Sequence, residues 1–175
     1  MLDRALFLSS PEQFIERHGE QLRSLLGESL QTSWIAWDAD EGEWWADEAV
    51  ILRVGDRQLE IVCFQLDQLA LTWGEISTDQ APMHVADWGD ANLLWRENGH
   101  EVFSNALGGV LRSINVLERL SRTKPEGQDE WHEAWLLGGL EFEFSSGIVR
   151  VVNALDENGL ESEPDAGPDL RRIPV

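Results

Sequence analysis

The chain has 175 residues, 42% of them hydrophobic, which is enough for one folded domain with a substantial core. Its formal net charge is −20, which disfavours nucleic acids and anionic membranes as partners and favours basic proteins. No apolar run approaches the roughly 20 residues of a membrane span, and the N-terminus turns polar too early for a signal peptide. The single cysteine, Cys63, cannot form an internal disulfide, so we predict a cytoplasmic location.

The first predicted element is a helix over residues 10–27. Ser10 can cap it, Pro11 suits the first helical position, and Gln13 completes a capping box. Gly27 is placed to end the helix. The apolar face at helical spacing consists of Phe14, Ile15, His18, Leu22, Leu25 and Leu26.

After this helix the pattern is typical of β-strands. We predict strands, in chain order, within residues 29–38, 43–54, 59–73 and 140–152. Within 140–152, Leu140, Phe142 and Phe144 alternate with glutamates, and Ser146-Gly147 form a turn, so this segment predicts a hairpin.

A second hairpin is predicted over residues 94–103. Asn98-Gly99 favours the positive φ angles of a type I′ turn between two short apolar segments. A polar loop is expected over residues 121–130, and residues 161–175 are expected to form an acidic, Pro-rich tail.

Together these elements predict an α+β fold. An N-terminal helix packs on a mainly antiparallel β-sheet system in one domain over residues 1–160. LLGESLQTSWIAW, residues 25–37, resembles ALGGVLRSINVLE, residues 106–118. This similarity leaves open a duplication, with halves at about 22–71 and 106–160.

No pattern identifies a reaction. Cys63 has apolar neighbours and no adjacent base, so it does not resemble a reactive thiolate. His84, Asp87 and Asp90 have a spacing that could gather metal ligands, but a polar loop explains them better. Neither Gly108-Gly109 nor Gly138-Gly139 belongs to a phosphate-binding motif. We therefore predict no enzyme activity, no cofactor and no metal.

Tryptophans and acids supply the candidate site. Nine tryptophans are many for this length, and Trp44 and Trp45 must point to opposite faces of a strand. Acidic clusters adjoin tryptophans in DADEGEWW and EGQDEWHEAW, and a third lies within residues 156–165. The predicted partner-binding residues are Asp38, Asp40, Glu41, Glu43, Trp44, Trp45, Asp47, Glu126, Asp129, Glu130 and Trp131.

In size, acidity and tryptophan content the chain resembles the immunity proteins of bacterial toxin systems. The resemblance is one of overall character and assigns no residue. It implies a protein that binds a cognate toxin, expected to be a basic enzyme acting on nucleic acid, and covers its active site. Two alternatives remain open: a DNA mimic or regulator that blocks a nucleic-acid-binding protein, and a carbohydrate-acting or carbohydrate-binding domain.

Overall fold

A computed structural model describes residues 6–82, 91–124, 127, 130–163 and 167–175. The structure is mostly β, with antiparallel sheets and little helix, so the α+β prediction is confirmed only in its coarse features. No described helix is both long enough and apolar enough to cross a bilayer.

The first sheet follows helix α1, Pro11–Arg23. Its strands are β1 (Leu30–Asp38), β2 (Glu43–Trp44), β3 (Val50–Val54), β4 (Arg57–Phe64), β5 (Gln68–Thr72) and β6 (Leu93–Glu97). β1, β3, β4 and β5 form a meander. One edge of β1 pairs with β3 and, further along, with β2, and its other edge pairs with β6.

The second sheet follows a short helix α2, Glu101–Ser104. Its strands are β7 (Leu111–Thr123), β8 (His132–Phe144), β9 (Ile148–Asn153), β10 (Asn158–Glu161) and β11 (Leu170–Pro174). The order across this sheet is β10-β9-β8-β7-β11. The hairpin predicted within 140–152 is present as β8 and β9.

Three local predictions are corrected. Residues 94–103 do not form a hairpin, because β6 pairs with β1 and the chain then enters α2. Asn98 does have a positive φ of 49°, but its Oδ1 accepts a hydrogen bond from the backbone N–H of Ser33. The predicted tail ends in a strand, because β11 pairs with β7 along five residues from Leu170 to Pro174.

The third correction concerns residues 43–54 and 59–73, each of which forms two strands rather than one. β2 and β3 are separated by turns at Ala46–Glu48. A bulge at Gln31 also changes the side-chain alternation of β1, so that Ile35 and Trp37 reach the main core while Trp34 lies on the opposite face.

The two sheets meet through matched hydrogen bonds. Gly27 N donates to Leu111 O at 3.0 Å, and its counterpart, Gly108 N, donates to Leu30 O at 2.8 Å. Ser29 and Val110 form the bridge between these pairs. Both sheets have the same strand order: a four-stranded meander, whose first strand also pairs with a later strand at its other edge. That later strand is β6 in the first sheet and β11 in the second. This correspondence is geometric, and the duplication itself stays a prediction.

Both faces of the first sheet are covered. One face contributes to the main core between the sheets, while Ile51 and Glu60 on the other face are fully buried. The connection from β5 to β6 leaves across that second face, where Glu75 N donates to the Glu60 carboxylate at 3.1 Å. Thr72 Oγ1 donates to the same carboxylate at 2.7 Å, so Glu60 holds the connection against the sheet.

A buried ion pair holds the corresponding face of the second sheet. Arg150 is 0% exposed, and its Nε donates to Glu141 at 2.6 Å. Arg172 of β11 donates to the same carboxylate at 2.8 Å. Burial raises the pKa of Glu141, but hydrogen bonds from Arg172 and Arg150 outweigh this effect and hold the pKa below its usual range. Glu141 of β8, Arg150 of β9 and Arg172 of β11 therefore connect these three strands.

The Gly138-Gly139 pair makes a bulge in β8. Gly139 has a φ of 136°, and a Cβ there would lie 2.1 Å from the carbonyl oxygen of Val151. Gly139 therefore permits the close approach of β9 at this bulge.

Helix α1 confirms its predicted N-terminus. The Ser10 hydroxyl accepts a hydrogen bond from Gln13 N at 3.4 Å, and Gly27 has a φ of 90° after the helix. His18 faces the core and packs against Phe14 with 4.9 Å between ring centroids. Burial, followed by the charge of Arg17, lowers the pKa of His18 to about 4.

We predict that Arg150→Ala destabilises the fold by about 3–5 kcal/mol, because it leaves the buried Glu141 carboxylate without its central partner. Urea denaturation checks this. Arg122→Ala is the matched control, since the ion pairs of Arg122 are exposed to water. Equal losses in the two variants would show that the buried pair has no special weight.

We also predict that stability falls as the pH drops from about 6.5 towards 4. In that window the unfolded chain protonates His18 and the folded chain does not, so protons favour unfolding. His18→Phe should reduce this slope, as measured by thermal unfolding at successive pH values. His132→Phe, at an exposed position, should keep it. An unchanged slope in His18→Phe would contradict the assignment.

Candidate partner-binding surface

The candidate surface centres on residues 38–48, which we call the acidic loop. It joins β1 to β3 and carries β2 as its only strand. At its start, Asp38 is nearly buried, and its Oδ1 accepts hydrogen bonds from the backbone N–H groups of Asp40 at 2.8 Å and Glu41 at 3.2 Å. Asp38 therefore shapes the turn, and the exposed carboxylates of Asp40, Glu41, Glu43 and Asp47 form the acidic surface.

The other end of the acidic loop is held by a residue from the second sheet. The buried Asn158 side chain donates to Ala46 O at 2.9 Å and to Glu48 O at 2.8 Å. Its Oδ1 accepts from Cys63 N at 2.8 Å, so one amide joins the loop, β4 and β10. With both ends held, the carboxylates need little further ordering to meet a partner.

The backbone before β6 adds a third attachment. Ala39 N donates to Asn92 O at 3.0 Å, and Asn92 Nδ2 donates to Asp40 at 3.2 Å. Near the end of the loop, burial raises the pKa of Glu48. Glu48 is half-buried and belongs to the base of the loop rather than to its exposed acids.

Trp44 ends β2 and Trp45 follows it, and of the two only Trp44 packs against the main core. Trp44 packs against the main core and meets His100 with 5.5 Å between ring centroids. Trp45 N donates to Ala36 O, which places Trp45 beside the second face. Both side chains are half-buried.

Arginines cover several of the other tryptophans. Guanidinium carbons lie 4.0 Å from the ring centroid for Arg96 over Trp37 and 3.6 Å for Arg171 over Trp135. Arg53 over Trp34 and Arg57 over Trp73 repeat the arrangement at 5.4 and 5.2 Å. Arg53, Arg96 and Arg171 are exposed and Arg57 is half-buried, so these guanidinium groups cover the rings from the solvent side.

Two residues of the second predicted cluster, Glu130 and Trp131, immediately precede β8. Trp131 is 62% exposed and Glu130 is also exposed, whereas Glu126 and Asp129 lie outside the described residues. The β7–β8 hairpin belongs to the second sheet and the acidic loop to the first. The structure provides no strand pairing that joins the two clusters among the described residues.

The structure instead brings part of the third acidic cluster to the acidic loop. Asp156 and Glu157 occupy the β9–β10 turn, immediately before Asn158. Sequence reasoning missed Asn158 and Asn153 because nothing in their local sequence shows that their amides bridge distant segments.

The described residues offer no grouping of three or more His, Cys, Asp or Glu side chains suited to a metal ion. The metal candidates His84, Asp87 and Asp90 lie outside the described residues. Cys63 is buried, and burial raises its pKa to about 12, which matches the unreactive thiol expected from its apolar neighbours.

No protein-family model, curated protein or solved structure matches the chain.

We predict that Asp38→Ala loosens the acidic loop while leaving its exposed carboxylates in place. Loss of a charged acceptor for two backbone N–H groups should lower stability by about 1–3 kcal/mol. Hydrogen exchange should become faster at the amides of Asp40 and Glu41. Glu41→Ala is the control, since its exposed side chain should leave the turn intact. Unchanged exchange in Asp38→Ala would show that the turn is held by other contacts.

Proposed function

We propose that the protein is an inhibitor of the immunity type, which binds a basic bacterial toxin and covers its active site with the acidic loop. The observation that carries the proposal is the loop itself. It presents four exposed carboxylates on a backbone held by Asp38 at one end and Asn158 at the other.

Electrostatics supports such a partner. A net charge of −20 attracts a basic protein from a distance and accelerates encounter at low salt. A fixed loop then limits the conformational entropy lost on binding, which slows dissociation.

The chemistry of the partner follows from the same charge. An enzyme that acts on nucleic acid uses Lys and Arg to hold phosphates, and the carboxylates of the acidic loop can pair with those groups. The inhibitor would act by occupying the active site, with no covalent step. The buried thiol of Cys63 is consistent with this non-covalent mode.

The test is capture from a lysate of the source cells at low salt, followed by a salt gradient. We expect one basic protein to be retained until high salt, and inhibition of that protein's activity on addition of the purified chain. If only weak binders elute at low salt, the acidity serves solubility and the proposal is wrong.

The triple variant Asp40→Lys, Glu41→Lys and Glu43→Lys should bind the captured protein roughly tenfold or more weakly. Glu16→Lys, Glu20→Lys and Glu28→Lys together form the matched control, because they are exposed and change the net charge equally. Titration of the purified partner checks both, with thermal unfolding as a control for folding. Equal weakening by the two triple variants would mean that net charge, and not the loop, determines affinity.

A further inference from the structure

Three exposed apolar side chains lie on or beside two turns that hydrogen bonds join. Leu155 is 79% exposed, Leu66 60% and Phe64 36%, and we call these three residues the apolar corner. The Phe64 ring also packs against Phe7, with 5.4 Å between ring centroids. Among the described residues, Trp131 is the only other large apolar side chain exposed as much as Leu66. Burying such side chains against a partner is strongly favourable, so their grouping indicates a contact surface.

The apolar corner is built from two turns, one from each sheet. Asp156 of the β9–β10 turn accepts a hydrogen bond from Gln65 N of the β4–β5 turn. Asn153 Nδ2 donates to Gln65 O at 2.8 Å, and its Oδ1 accepts from Leu155 N at 3.1 Å. These bonds fix the two turns to each other, so Leu66 and Leu155 sit on a common, ordered base.

The backbone at Leu155 shows that the turn alone does not explain this residue. Leu155 has a φ of 68° and Asp156 a φ of 83°, in the left-handed region that suits glycine or asparagine. A leucine there is disfavoured by its backbone and exposes its side chain to water. The turn itself requires these angles, but leucine is a costly residue to place at them.

The apolar corner adjoins the acidic loop through Asn158. That residue follows the β9–β10 turn, donates to Ala46 O and Glu48 O in the loop, and accepts from Cys63 N, next to Phe64. Exposed Asp156 and Glu157 lie between Leu155 and Asn158 in the chain. The arrangement is an apolar centre beside acidic groups, which is the usual plan of a protein interface.

We infer that the apolar corner is the centre of the partner-binding surface and that the acidic loop lies at its rim. This inference rests on the proposed function and specifies the partner. The bound protein presents apolar side chains flanked by Lys or Arg. Charge argues against a second copy of this chain as occupant, because each copy carries −20 and would bring like charges together.

The test uses two labelled synthetic peptides of equal positive charge. One carries Lys residues on one helical face and Leu on the other, and its mate has Ser in place of every Leu. We expect the wild-type chain to bind the Leu peptide at least about tenfold more tightly in fluorescence polarisation. Leu66→Asn with Leu155→Asn should remove that preference while leaving binding of the Ser peptide unchanged, and asparagine suits the left-handed backbone at 155.

Leu26→Asn with Leu94→Asn is the matched control, since these leucines are 44% and 42% exposed and lie elsewhere. It should keep the preference. A preference that survives in the Leu66/Leu155 variant, or is absent from the wild type, overturns the inference.

If the triple Lys variant of the acidic loop still weakens Ser-peptide binding in that case, the proposed function stands without the apolar corner. Failure of both peptides to bind contradicts both proposals. Sedimentation showing that the Leu66/Leu155 variant dissociates a wild-type dimer would also overturn the inference, in favour of a second copy.

Discussion

The hydrogen bonds that join residues 27–30 to residues 108–111 are the contacts on which the rest of the structure depends. These bonds join the chain segments at which β1 and β7 begin. The two meanders therefore lie over one another, and each buries its apolar face against the other. The β4–β5 and β9–β10 turns meet as a result, although about 90 residues separate them in the chain. The acidic loop is attached to the same place by Asn158. The crossing at the start of β1 and β7 therefore brings the parts of the candidate surface together.

Covering both faces of the first sheet explains much of the unusual composition. The main core takes Trp37 and Trp44, while Trp34 and Trp45 belong with the second face, where Glu60 is buried. When both faces of a sheet are covered, its strands carry large apolar side chains on both faces. A sheet with one face open to solvent needs them on only one face. Exposed arginines stack on two of these rings, Arg53 over Trp34 and Arg96 over Trp37.

Sequence patterns predicted the elements whose signals are local. The cap at Ser10, the turn at Ser146-Gly147 and the alternation around Phe142 all appear as expected. The errors fall where a distant partner decides the outcome. Asn98-Gly99 has the chemistry of a hairpin turn, but β1 captures β6 and Asn98 bonds to Ser33 instead. The polar C-terminal segment carries no strand signal of its own and becomes β11 because the edge of β7 is open to it. The acidic loop was visible as a charge run, whereas the amides that hold it and the exposed Leu66 and Leu155 were not.

The burial of Cys63 has a practical consequence. Its thiol lies in the main core and is almost entirely protonated at neutral pH. Maleimides and iodoacetamide should therefore not react with it in the folded state. A cysteine placed at an exposed position then becomes the single labelling point of the native chain. A dye or spin label on the β7–β8 hairpin, for example, could report distances to a bound protein without first removing the natural thiol.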